Sequence, residues 1–407
     1  MGECCSIQNK KEKTKYHNLM NPLKNERIIT NNDDNLYNLN NDEKKKQIFL
    51  NKEKEKGQIK RRALLRFTNN NNTYMISILQ CLTYTKKLTI YFLNKYNVYN
   101  NNNKISNEYY NLLISLWKDK EISCPYPPND LTLFINNKNS IFNNSELNDG
   151  KCLLNFLFEN IHNELNVIKN NKDNNNQYEY SFNKLNKEKC FQNFYNNFKK
   201  NNNSIISHLF YGIKEIKFKC KKCEEINYKY EFFNFLQFPL KEIASNFGIN
   251  PNTSIEDGSS LKNIISKIDL YDCFNYNNQE QSLTSKDYKC ININCIDNEY
   301  FELSTTLFSN PIYLIIFLNN ENEDKLKYNV NYPEELYLDK YLICKKYTNI
   351  FELYGVISKN ENNNYYSYCR NLVDDNIWFK YENDKVNQCQ GNEYLSVLPY
   401  CLFYKVK

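Results

Sequence analysis

Apolar residues recur along this chain in two rhythms, helical in the first half and alternating in the second. Met75, Ile78, Leu79 and Leu82 fall at i, i+3, i+4 and i+7, which predicts a helix with one apolar face behind an Asn run that offers N-cap side chains. Residues 105–118 and 148–166 repeat that spacing, the second placing Leu154, Phe158, Ile161 and Leu165 on one face. His162 on that segment reads as an exposed or half-buried helix residue. The polar stretch 168–203 reads as a long insertion with one short aromatic helix at 191–198. A strand-like run follows at 213–238. Near the C-terminus, aromatic and β-branched runs at 312–318, 351–358, 365–369, 377–381 and 400–405 predict strands, most simply an antiparallel meander. The pattern is α+β.

Residues 16–60 break both rhythms and read as a solvated tether, or as a tether with a short basic helix at 42–56 lying on a membrane surface. The segment before it carries chemistry. Gly2 with Ser6 fits N-myristoylation, Cys4 and Cys5 are placed for S-palmitoylation, and Lys10, Lys11, Lys13 and Lys15 follow at once. One myristoyl chain holds a bilayer only marginally, so the second acyl chain and the basic patch complete an anchor. Residues 1–60 are therefore expected to be an acylated basic leader on the cytoplasmic side of a membrane.

Composition narrows the function. With 407 residues, 41% of them hydrophobic, the chain can bury one large core or two ordinary ones. The net charge of +6 lies wholly within residues 1–62, which hold 15 Lys and Arg against 9 Asp and Glu; the rest balances at 38 against 38. A neutral body argues against a phosphate-binding surface, so no nucleic-acid partner is expected. No run of about 18 apolar residues marks a membrane span, and no secretory signal precedes the body. The 15 cysteines are scattered, which suits a reducing compartment better than a disulfide scaffold.

Four of those cysteines are spaced as two knuckles, Cys220-Lys-Lys-Cys223 and Cys290-Ile-Asn-Ile-Asn-Cys295, with 66 residues between them. Four thiolates on two turns suit a tetrahedral structural zinc; the alternative is four unrelated thiols.

The run from Phe67 to Leu82 resembles the cysteine box of the ubiquitin-specific proteases, the papain-like deubiquitinases, which reads Asn-Leu-Gly-Asn-Thr-Cys-Tyr-Met-Asn-Ser-x-Leu-Gln. Tyr74, Met75, Ser77, Leu79 and Gln80 match in register. Further matches follow in the family's order. Residues 147–154 align with its Gln-Gln-Asp-Ala-x-Glu-Phe-Leu box, keeping Asp149 and replacing the Glu by Cys152. Phe235-Leu-Gln-Phe-Pro-Leu240 follows the first knuckle, and Pro311 to Leu318, Tyr332 to Leu338 and Phe351 to Ser358 match later phrases. The resemblance spans residues 61–407. It implies a papain-like cysteine protease fold with a helical thumb (61–203), zinc-knuckle fingers (205–302) and an antiparallel β palm (303–407). It also implies that Asp149 faces the C-terminal tail of ubiquitin.

The chemistry implied by the resemblance is missing. A helix N-terminus favours a thiolate, yet Thr73 stands at the nucleophile position. Thr68 stands at the oxyanion-stabilising Asn, Asn364 at the His base of the Gly-His-Tyr box and Glu382 at the orienting acid. Asn70 and Asn363 replace glycines beside the cleft that takes the ubiquitin tail, where their amides narrow it. The three histidines, His17, His162 and His208, leave the last 199 residues without a base, and an Asn amide does not exchange protons near neutral pH. Cys81 lies eight residues beyond Thr73, roughly 12 Å along a helix, too far to replace it. The expectation is a catalytically inactive, lipid-anchored scaffold for ubiquitin or a ubiquitinated protein, with no catalytic cofactor. The alternatives are a divergent cysteine-type deubiquitinase and a structural membrane-associated protein with no ubiquitin contact.

Overall fold

A computed structural model describes residues 73–96, 104–117, 128–143, 150–168, 187–249, 267–284, 290, 292–295, 299–319, 328–344, 349–360, 362, 364–372, 374–382 and 385–407. Gly2, Cys4, Cys5 and the rest of the leader, with Thr68, Asn70, Asp149 and Asn363, lie outside the described residues. The helical layer comprises α1 (Thr73–Thr83), α2 (Lys86–Asn94), α3 (Ile105–Trp117), α4 (Asn129–Lys138), α5 (Gly150–Leu165), α6 (Lys187–Asn201) and α7 (Ile205–Phe210). Beyond it come β1 (Gly212–Cys220), β2 (Ile226–Phe233), β3 (Leu236–Pro239), α8 (Leu240–Asn246), β4 (Lys267–Asp269), α9 (Leu270–Asn277), β5 (Gln281–Thr284) and β6 (Tyr300–Ser309). The chain closes with β7 (Tyr313–Asn319), β8 (Asn329–Asn331), β9 (Glu335–Tyr337), β10 (Ile350–Lys359), β11 (Tyr365–Arg370), β12 (Trp378–Glu382), β13 (Lys385–Gln388) and β14 (Pro399–Val406). Helices and antiparallel sheets are thus mixed in α+β fashion.

The strands form an eight-stranded sheet ordered β13-β12-β11-β10-β14-β7-β3, with β9 also on β10, and a four-stranded sheet ordered β2-β1-β6-β5. The simple meander expected for the last strands is corrected here. Only β10 to β13 meander; β14 returns between β10 and β7, and β3 adds parallel to β7. Burial gives the reason. Tyr313, Ile315 and Phe317 of β7 enter the core beneath the helices, while Leu314, Ile316 and Leu318 enter a second core on the opposite face. Cys401 and Phe403 of β14 divide from Leu402 and Tyr404 in the same way. Strands apolar on both faces belong in the middle of a covered sheet.

Two helices depart from the reading of the pattern. α1 is buried nearly all round rather than on one face, so Ser77, Gln80 and Thr83 are inside with Met75 and Leu82. α6 runs well beyond 191–198, because its Phe191, Phe194 and Phe198 rest on Tyr230 and Phe232 of β2. Lys187 at its start reaches Glu215 of β1 at 2.8 Å, and the Tyr230 hydroxyl donates to the same carboxylate at 2.6 Å.

His162 is also corrected: it is only 7% exposed, and its Nδ1 lies 2.6 Å from the Ser204 hydroxyl that caps α7. Burial pushes its imidazole below the usual 6.5, with the Asn202 hydrogen bond opposing. The unfolded chain therefore takes up a proton near pH 6.5 that the folded chain accepts only at lower pH. Stability is complete above that value and falls as pH drops toward the lowered one. Denaturation of His162→Gln between pH 7 and 5 should show a flatter loss of stability than the unaltered chain, and identical slopes would refute the assignment.

Candidate active site and four-cysteine cluster

Thr73 is the first residue of α1, which packs across β10 and β11. That docking puts its side chain at the start of β11, where the Tyr365 backbone N–H donates to the Thr73 hydroxyl at 3.0 Å. Tyr74 meets the Tyr365 ring edge-on at 6.2 Å, and Thr73 is only 5% exposed. The structure therefore brings residue 73 beside residues 364 and 365, although 291 residues separate Thr73 from Asn364 in sequence.

Asn364 and Glu382 are joined through a residue that sequence reasoning missed. The side-chain Oδ1 of Asn360 accepts from the backbone N–H groups of Asn364 at 3.0 Å and Asn362 at 3.1 Å. Its amide donates to Glu382 Oε1 at 3.3 Å. The second carboxylate oxygen of Glu382 pairs with Lys380 at 2.9 Å. Burial pushes the Glu382 carboxyl up, but Lys380 and the Asn360 amide outweigh it and hold the group below the usual carboxylate range. An ionised carboxylate spent on Lys380 and Asn360 stabilises a hairpin. Asn360 carries no signal of its own in an Asn-rich chain, whereas Lys380, two residues before Glu382 on one strand, shares its face by alternation.

Among the described histidines, His162 bonds Ser204 and His208 Nε2 lies 3.2 Å from Asn203 Oδ1, both at the α6–α7 junction. A hydroxyl without a base beside it is a poor nucleophile. Asp149 precedes Gly150, whose N–H donates to the Tyr400 hydroxyl at 3.1 Å. A Cβ on Gly150 would meet that hydroxyl at 3.1 Å, so glycine allows the close approach of α5 to β14. The Lys359 ammonium lies over the rings of Tyr365 and Tyr400, 4.6 and 5.7 Å from their centroids.

The two knuckles converge. Cys220 ends β1, Cys223 follows in its turn, Cys290 precedes a short 3-10 segment (Ile293–Cys295), and Cys295 closes it. The four sulfurs lie within 4.8 Å of one another, with Cys223 and Cys290 at 3.4 Å. The Asn292 N–H points at the Cys290 sulfur at 3.4 Å, and Glu224 adopts a φ of 60° to close the turn. A tetrahedral S4 site with metal–sulfur bonds of about 2.3 Å has sulfurs roughly 3.8 Å apart, so the cluster fits a metal ion.

These geometries sit on a recognisable body. The family model for ubiquitin carboxyl-terminal hydrolase matches residues 66–404. The chain belongs to this family. Among curated relatives, ubiquitin carboxyl-terminal hydrolase 32 of Mus musculus and its Homo sapiens counterpart are each 28% identical over 183 residues, 42% of this chain. The match spans only 11% of the length of those relatives. A solved structure of the yeast SAGA DUBm with an Sgf73 mutant shares the fold at a TM-score of 0.59 and 18% identity, covering 86% of this chain and 70% of that one. The helical layer is thus the thumb of this hydrolase fold, the four-stranded sheet its fingers and the eight-stranded sheet its palm.

Proposed function

We propose that this hydrolase-family chain is a catalytically silent scaffold that binds ubiquitin or a ubiquitinated protein, held by N-terminal acyl chains at the cytoplasmic face of a membrane. The observation that carries the reading is the hydrogen bond from the Tyr365 N–H to the Thr73 hydroxyl. The family's reactive position is occupied by a group with no thiol, next to an Asn364 that does not act as a base. Glu382, at the acid position, serves Lys380 and Asn360 instead. The fold around these positions is retained, and a retained fold without its proton-transfer groups supports recognition over turnover. In the fingers, Cys220, Cys223, Cys290 and Cys295 would hold a structural zinc that ties the tips of the strands together.

Titration of labelled ubiquitin should saturate in the micromolar to millimolar range, about 4 to 8 kcal/mol of binding. No saturation up to millimolar concentration would transfer the reading to a structural role without ubiquitin. The anchor rests on Gly2, Ser6, Cys4, Cys5 and the lysines that follow. Gly2→Ala should move the protein from the membrane to the soluble fraction, because neither a myristoyl chain nor the palmitoylation that builds on it would be added. Unchanged membrane association would remove the anchor.

A further inference from the structure

Cys81 of α1 and Cys369 of β11 meet where the thumb lies on the palm, their sulfurs 3.8 Å apart. Both are fully buried in the core shared by the helices and the eight-stranded sheet. Cys369 pairs with Gly355 across the β10–β11 ladder, and a Cβ on Gly355 would stand 3.3 Å from the Cys81 sulfur. The register of β10 against β14 also shifts between Leu353 and Gly355. Glycine at an irregular point of the strand thus makes the room in which the two thiols touch. Neither belongs to the four-cysteine cluster or to the Thr73 site. A disulfide needs about 2.0 Å between sulfurs, so closure requires less than about 2 Å of movement shared between two side chains.

We propose that Cys81 and Cys369 form a redox-sensitive staple between thumb and palm, closed by hydrogen peroxide and reopened by a thiol reductant. One thiolate attacks a peroxide oxygen and the O–O bond breaks, giving a sulfenic acid and, with the proton returned, one water. The second sulfur then attacks the sulfenic sulfur, forming the S–S bond and releasing the second water. The two electrons lost by the sulfurs are those gained by the peroxide. Burial pushes the Cys369 thiol well above its ordinary range. The Cys369 thiolate is therefore scarce in the closed fold, and because both sulfurs are buried, reaction waits on opening of the thumb–palm junction. The staple responds to sustained oxidant rather than to a brief pulse.

The test exposes the reduced full chain to hydrogen peroxide, alkylates the remaining thiols under denaturing conditions and maps the peptides. A Cys81–Cys369 cross-linked peptide is expected. With it should come a rise in Tm of roughly 5 °C, reversed by dithiothreitol, since the bond closes a very long loop of the unfolded chain. Cys369→Ala should show neither effect, and Cys81→Ala serves if that variant does not fold. Recovery of both cysteines alkylated while the exposed Cys152 is oxidised would overturn the proposal. So would cross-linking without a Tm rise, or an equal rise in the variant.

Discussion

Incubation with a ubiquitin–fluorophore conjugate is expected to release no fluorophore above background, and a ubiquitin C-terminal electrophile should leave the chain unlabelled. A hydrolase triad that loses its nucleophile or its base gives up on the order of 10⁶ in kcat, roughly 8 kcal/mol of transition-state stabilisation. Here the hydroxyl of Thr73 accepts from the Tyr365 N–H, and on the proposed function Asn364 occupies the base position. The described histidines are engaged at the α6–α7 junction. Thr73→Cys alone should not restore turnover, because a thiol at the head of α1 would still lack a group to carry the proton to the leaving amine. Labelling of the unaltered chain, or turnover abolished by substituting one of its own cysteines, would contradict this and favour a relocated nucleophile.

Removing the zinc proposed for the four-cysteine cluster should have the second large effect. One zinc per chain is expected by atomic spectroscopy, and Cys223→Ser or a strong chelator should release it. Structural zinc sites of four thiolates contribute on the order of 10 kcal/mol of folding free energy. The loss should be local. β1 and β6 carry the small cluster of Ile216, Phe218 and Phe301 that packs around the cysteines, so their amides should lose exchange protection. β7, β10 and β14 sit between two large cores and should keep theirs. A chain that contains no metal, yet protects β1 and β6 fully, would show four thiols packed without an ion.

Much of the candidate site was legible because family motifs are local in sequence. Tyr74, Met75 and Gln80 set the register that singled out Thr73 at the head of a helix, and the knuckle spacing picked out four cysteines whose sulfurs converge. Asn360 was not legible. Its role depends on the hairpin that returns β11 beside β10, which lets one amide reach the backbone of Asn364 and the carboxylate of Glu382 together. The burial of His162 was hidden for a related reason: a helical face is judged from its own periodicity, while Ser204 arrives from a separate helix.

Helix and strand type, the α+β class and the four-thiol cluster were determined by the sequence, since each depends on residue identity and short-range spacing. Tertiary structure alone decided that β14 inserts between β10 and β7, that α1 is buried nearly all round, and that Cys81 rests against Cys369 above Gly355. Periodicity reports which face of an element avoids water, but not which distant element covers it. Those partnerships are settled only when both faces of the central strands must be buried at once.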